Sequence, residues 1–80
     1  MFFTYILQSE KDQTHYYGHT KNLTDRLKYH NQGKVRSTKG KKPWTVIYSE
    51  EFDTKSEAYK REMFFKSIDG YRYLKGKGII

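Results

Sequence analysis

The stretch "HYYGHTKNLTDRLKYHNQG", residues 15–33, changes its pattern halfway along. Residues 15–20, "HYYGHT", are rich in aromatic and alternating side chains and read as a β-strand. Asn22 is placed to cap a helix over about residues 23–32, and Gly33 to stop it. On that helix His30 lies inside the stripe made by Leu23 and Leu27, and Arg26 lies on its edge, at about 100° per residue. To the N-terminal side, "FFTYILQS" is a β-branched and aromatic run, a strand over residues 2–8. The polar turn "EKDQT" joins it to the strand at 15–20 as a hairpin.

To the C-terminal side, "GKVRSTKGKKP" at residues 33–43 carries five basic residues and no acid, and reads as a loop. "WTVIYSEEF" follows as a third strand, in which Trp44, Tyr48 and Phe52 recur with the period of a core-facing set. "TKSE", Thr54 to Glu57, has the spacing of a capping box and opens a helix reaching about Ile68. The "DG" at 69 and 70 reads as a break, and "YRYLK" after it as one more short helix. Without repeats or a linker, residues 1–80 form one α+β domain of order β-β-α-β-α-α. The expected architecture is a three-stranded antiparallel sheet flanked by helices.

Composition narrows the function. Sixteen Lys and Arg against nine Asp and Glu give a net charge of +7, a field that favours polyanions. No segment approaches the roughly 20 apolar residues of a membrane helix. The start, "MFFTYILQSEKD", lacks the basic n-region of a signal peptide. The absence of cysteine excludes disulfides and cysteine-held zinc, and fits a cytoplasmic protein. Nucleic acid is therefore the leading partner class. Hydrophobic residues are only 35 % of the chain but aromatics are 18 %, so the core is expected to be thin and built on rings.

The second helix carries an anomaly. With Ala58 as reference, Glu62 falls about 40° away, beside Phe65 on the inward face. A carboxylate on a buried face needs a cation. A structural ion pair with Arg26 or Lys66 and membership of a functional cluster are both compatible with the angles.

Taken in order, these residues resemble the GIY-YIG nuclease superfamily. Its two half-motifs stand here as Phe3-Thr4-Tyr5 and Tyr16-Tyr17-Gly18, with the two tyrosines eleven positions apart. "DRLKYH" then supplies Arg26 and His30, and "KREMFFK" supplies Glu62. The resemblance spans the chain and is greatest to small bacterial members related to the nuclease subunit of nucleotide-excision repair. Two departures stand out. Phe3 and Thr4 replace the first two letters of the first half-motif, and no Asn follows in the last helix, where Arg72 is the nearest occupant.

What the resemblance implies is a bacterial, cytoplasmic DNA endonuclease that hydrolyses phosphodiesters with one Mg²⁺ or Mn²⁺, with structure-selective or weak sequence preference. DNA repair is the implied setting. Glu62 would be the metal ligand and Arg26 the phosphate clamp. Tyr5 or Tyr16, working with His30, would activate water, the division of labour being open. Lys66 would neutralise phosphate charge or extend to solvent, and Gly18 would let the strand lie close to the cluster. Lys34, Arg36, Lys39, Lys41, Lys42 and Arg72 are candidate backbone contacts to DNA. His15 and His19 read as surface polar residues. "MFF" at 63–65 offers a face to a specificity-conferring protein partner or to a second copy. The alternative is a nucleic-acid- or partner-binding module that keeps the fold without catalysis.

Overall fold

The computed structural model describes all of residues 1–80. The element order is β1 (Phe2–Ser9), β2 (His15–Thr20), α1 (Leu23–Asn31), β3 (Trp44–Phe52), α2 (Lys55–Phe65) and α3 (Ile68–Gly76), with a 3-10 turn at Lys39–Lys41. The three strands form one antiparallel sheet of order β2-β1-β3. This is the expected α+β arrangement. β1 is central, which is why four consecutive residues, Thr4 to Leu7, are buried rather than every second one.

Each sheet face covers its own small core. On one face Tyr5, Leu7 and Trp44 pack with Tyr16, Leu23 and Leu27, so α1 and the end of the basic loop close that side. On the other, Ile6, Phe65 and Leu74 pack with Tyr17, Tyr48, Phe64 and Tyr73, so α2 and α3 close it. Trp44 and Tyr48 therefore lie on opposite faces, not on one as their even spacing suggests. A bulge is the reason. Ile6 pairs with Tyr48 and Leu7 with Val46, which leaves Ile47 unpaired and reverses the alternation.

The helix ends follow their local chemistry. The Asn22 side chain accepts from the Asp25 N–H, and the C-terminus of α1 closes as a Schellman motif. Gly33 N–H donates to His30 O, Lys34 N–H donates to Tyr29 O, and Gly33 has φ +76°. α2 opens with a full capping box between Thr54 and Glu57.

The second boundary differs from the expected one. α2 stops at Phe65 instead of about Ile68, and Asp69 and Gly70 lie inside α3, whose N-cap is Ser67. Gly70 marks a close approach, not a break. A Cβ there would sit 1.8 Å from Phe64 O, so only glycine lets the first turn of α3 fold back on the end of α2. Phe65 is buried and Phe64 half-buried beneath that contact, so of "MFF" only Met63 is exposed. Arg61 is held above these rings by Glu50, at 2.7 and 3.2 Å, with its guanidinium about 5 Å from the Phe64, Phe65 and Tyr73 centroids.

Gly70→Ala is expected to lower unfolding free energy by about 2 kcal/mol or more, because backbone would have to move. Gly76→Ala, in the same helix with nothing within 4 Å, is expected to raise it by about 0.5–1 kcal/mol. Urea denaturation followed by circular dichroism measures both; equal effects would contradict the close-packing role of Gly70.

Candidate active site

A buried phenol organises the first half of the site. Tyr5 is 1 % exposed and its ring crosses Gly18 on β2, so closely that a Cβ at Gly18 would lie 2.5 Å from the hydroxyl. The hydroxyl lies 3.0 Å from His30 Nε2, and His30 Nδ1 lies 2.8 Å from Thr38 Oγ1. The Thr38 hydroxyl donates to Val35 O at 3.3 Å, so it accepts from Nδ1–H. This network fixes the tautomer: Nε2 carries the lone pair and accepts the Tyr5 proton. Thr38 is itself pinned, since its carbonyl accepts from Trp44 Nε1–H at 2.9 Å. Asn31 clamps the Trp44 backbone on both sides, accepting from its N–H at 2.6 Å and donating to its carbonyl at 3.1 Å. Part of the basic loop is thus a buried strap over His30. Its anchors, Thr38 and Asn31, carry no motif in the sequence that would have marked them.

The electrostatics of this chain of groups are one-sided. Burial pushes the Tyr5 phenol up to about 12, against a lowering by the Arg26 guanidinium beside it. Burial, and then the Arg26 charge, pull the His30 imidazole down to about 4. Moving the proton from Tyr5 to His30 in the resting protein is therefore strongly uphill. The resting pair is a neutral hydrogen bond with Tyr5 as donor. Its oxygen lone pairs remain available to accept.

Arg26 and Tyr16 complete this face. Arg26 reaches from α1 to the Tyr5 and Tyr16 hydroxyls, which hold its guanidinium still more firmly in the charged form. Its Nε is the one buried side-chain polar atom of the molecule without a hydrogen-bond partner. An unsatisfied buried donor on a cation is a costly feature. Tyr16, half-buried, stacks edge-on against His30 at 4.9 Å between centroids and lies 6.4 Å from both Tyr5 and Trp44.

Glu62 belongs to the opposite side of the sheet. It is 8 % exposed, and both carboxylate oxygens are engaged: Oε1 with His19 Nδ1 and Oε2 with Lys66 Nζ, each at 2.7 Å. Of the two ion pairs that the helix angles allowed, the one to Lys66 forms and the one to Arg26 does not. His19 is not a surface bystander, as its alternation with Tyr17 suggested, because α2 lies over β2 and brings Glu62 to it. No local pattern in the sequence marks this pairing, because it depends on α2 packing over β2. His15 makes no such contact; burial and the Lys75 charge lower its pKa.

The five residues read as one cluster thus come from two faces that meet around the free edge of β2. Of the five, only Arg26 lines the hollow of about 250 Å³ at that edge, together with Phe2, His19, Thr20, Lys21 and Lys55. Arg26 enters it from the α1 side, and His19, carrying Glu62, from the α2 side. Of the expected DNA contacts, Lys34 sits over the Tyr29 ring at 5.0 Å, and Lys41 lies 3.4 Å from Asp12. Arg36, Lys39 and Lys42 are exposed on the loop, and Arg72 is exposed on α3, on the far side of the sheet from that loop.

This sheet, with two tyrosines, an arginine and a glutamate gathered at its open edge, defines a domain of the GIY-YIG type, and the profile of the GIY-YIG catalytic domain matches residues 1–71. A UPF0213 protein of Oceanobacillus iheyensis is 39 % identical over 74 residues, 91 % of this chain and 85 % of that one. The UPF0213 protein YazA of Bacillus subtilis is 40 % identical over 67 residues, 82 % and 67 % of the two chains. The solution structure of a UPF0213 protein from Bacillus halodurans is 30 % identical, with a TM-score of 0.55 over 95 % of this chain and 84 % of the other. The chain belongs to the GIY-YIG family, a nuclease superfamily, and its relatives are the small bacterial UPF0213 proteins. No helix is long and apolar enough to cross a membrane.

The lowered pKa of His30 has a definite sign in stability. Unfolding returns it from about 4 to its ordinary 6.5, so the contribution is complete above pH 6.5 and is lost as pH falls toward 4. Between those limits the wild type should lose up to about 3 kcal/mol more than His30→Gln, measured as denaturation free energies at stepped pH. Parallel pH profiles for the two proteins would contradict a neutral, buried His30.

Proposed function

We propose that this protein is a metal-dependent endonuclease that hydrolyses phosphodiester bonds of DNA. The observation that carries the reading is the partnerless Arg26 Nε, a buried cationic donor beside two tyrosine hydroxyls. A phosphodiester oxygen supplies what it lacks, in the planar geometry that guanidinium favours.

The GIY-YIG family implies a divalent cation, and the residues present fit one held mainly by water. Glu62 offers a hard oxygen ligand, its Oε2 is covered only by the half-exposed Lys66, and no group of three or more His, Cys, Asp or Glu encloses the site. Glu62 would hold the ion while His19 fixes the carboxylate's orientation. When bound, such an ion supplies charge neutralisation and lowers the pKa of its water.

The chain's own groups do the rest. Arg26 balances the charge that grows on the non-bridging oxygens. The Tyr5 oxygen, its own proton committed to His30, accepts a hydrogen bond from the attacking water. As that water gives its proton to Tyr5, Tyr5 gives its own to Nε2. Phosphate at Arg26 favours the imidazolium that this relay forms, because it matches the Arg26 charge that helps depress His30. Tyr16 positions the water from the rim. Lys66, freed from Glu62, remains one helical turn away to meet phosphate charge.

A second reading, a binding module without catalysis, is favoured by the full pairing of Glu62 in the protein alone. The two are separated by incubating the protein with flapped, branched and nicked DNA in Mg²⁺ or Mn²⁺. Glu62→Ala and Arg26→Ala should each slow cleavage by about 100-fold or more while melting stays cooperative. Cleavage that survives in Glu62→Ala would remove the metal role; uncut substrates that are nonetheless bound in a steeply salt-dependent way would establish the binding module.

A further inference from the structure

Three concave surfaces join end to end along the free edge of β2. The central one is the hollow between Arg26 and His19. Through Thr20, Lys21 and Arg26 it runs into a groove of about 480 Å³ along α1, whose wall includes Lys28, Tyr29 and Lys34. Through His19 and Lys55 it runs the other way onto a shelf carrying Tyr59. The floor is basic throughout, with Asp25 the single acid.

Each end of this track carries a large aromatic ring held out in solvent. Tyr29 is 48 % exposed, with the Lys34 ammonium 5.0 Å from its centroid. Tyr59 is 50 % exposed and is braced edge-on by His19 at 5.6 Å. Neither ring belongs to the two cores, and neither takes part in the chemistry above. In a chain that packs nearly all of its other rings, two exposed tyrosines flanking a phosphate site have the arrangement of stacking platforms. A duplex keeps its base faces inside the stack and shows side chains only groove edges, so it cannot use such rings. An unpaired strand can, with its phosphates on Arg26 and the lysines and a base on each ring.

We infer that the edge of β2 is a groove for an unpaired nucleic-acid strand, in which Tyr29 and Tyr59 stack bases on the two sides of the site. The proposal rests on the nuclease reading for what happens at the centre of the groove, but not for binding. The substrate class it names is single-stranded or flapped nucleic acid.

The test is fluorescence anisotropy with labelled single-stranded DNA, single-stranded RNA and blunt duplex oligonucleotides of one length, at low salt with EDTA present. The wild type should bind a single strand more tightly than duplex, and the two single-stranded arms identify the preferred sugar. Tyr29→Ala and Tyr59→Ala should each weaken single-strand binding by about fivefold or more and leave duplex binding unchanged. Tyr29→Phe and Tyr59→Phe, which keep the rings, should stay within about twofold of wild type. Single-strand binding that is indifferent to both alanine variants would overturn the groove, as would a preference for duplex. Tyrosine-dependent binding by a chain that cuts nothing in Mg²⁺ would uphold the groove and defeat the nuclease. Cleavage of single-stranded and flapped substrates at wild-type rate by the alanine variants would do the reverse.

Discussion

The hydroxyl of Tyr5 must find a partner inside the protein, and most of the fold around the site is arranged to provide it. Tyr5 sits on the central strand, 1 % exposed, where a phenol left unpaired is expensive. Its ring can leave the sheet only over a residue without a side chain, which is what Gly18 supplies on β2. The acceptor it meets is His30, whose tautomer depends on Thr38, whose carbonyl in turn receives the Trp44 indole. One hydrogen-bonded line therefore ties the hairpin to α1, to the loop and to the start of β3. The basic loop is not merely a carrier of charge; its middle is a structural member.

That same line explains the electrical character of the site. Burial keeps Tyr5 protonated and His30 neutral, and Arg26 reinforces the second effect while moderating the first. The molecule at rest thus holds a cation with an unsatisfied donor next to a proton pathway that is closed. An anion at Arg26 changes both at once, since it satisfies the donor and offsets the charge that depresses His30. On the other side of β2, Glu62 waits paired with His19 and Lys66. On the proposed reading, the strand edge would let an arginine from one helix and a carboxylate from another serve the same phosphate without either crossing the sheet.

Much of this was legible in the sequence, because local rules fixed it. The Asn22 cap, the Gly33 stop and the Thr54 capping box are each decided within a few residues, and the structure has all three. So is the inward placement of His30 and Glu62, which follows from helical angle alone. What misled were features whose cause is tertiary. Gly70 looks like a break because glycine usually is one, but here it serves an approach to Phe64 that only packing of α3 on α2 creates. The even spacing of Trp44 and Tyr48 implies one face until the bulge at Ile47, set by pairing with β1, separates them. His19 gained its partner from α2 lying over β2, a contact between residues 43 positions apart. Thr38 had no periodicity to betray it, since strap residues are defined by what they cover.

The central claim, drawn from the proposed function, is that Arg26, whose buried Nε lacks a partner, is the receptor for a phosphodiester. The most direct measurement is the Nε–H resonance of Arg26 in a ¹⁵N-labelled protein, followed by NMR as an oligonucleotide is added without divalent metal. The account predicts that this resonance moves downfield, as it gains a charge-assisted hydrogen bond, in step with saturation of binding. An Arg26 resonance that stays in place while the oligonucleotide binds would contradict it.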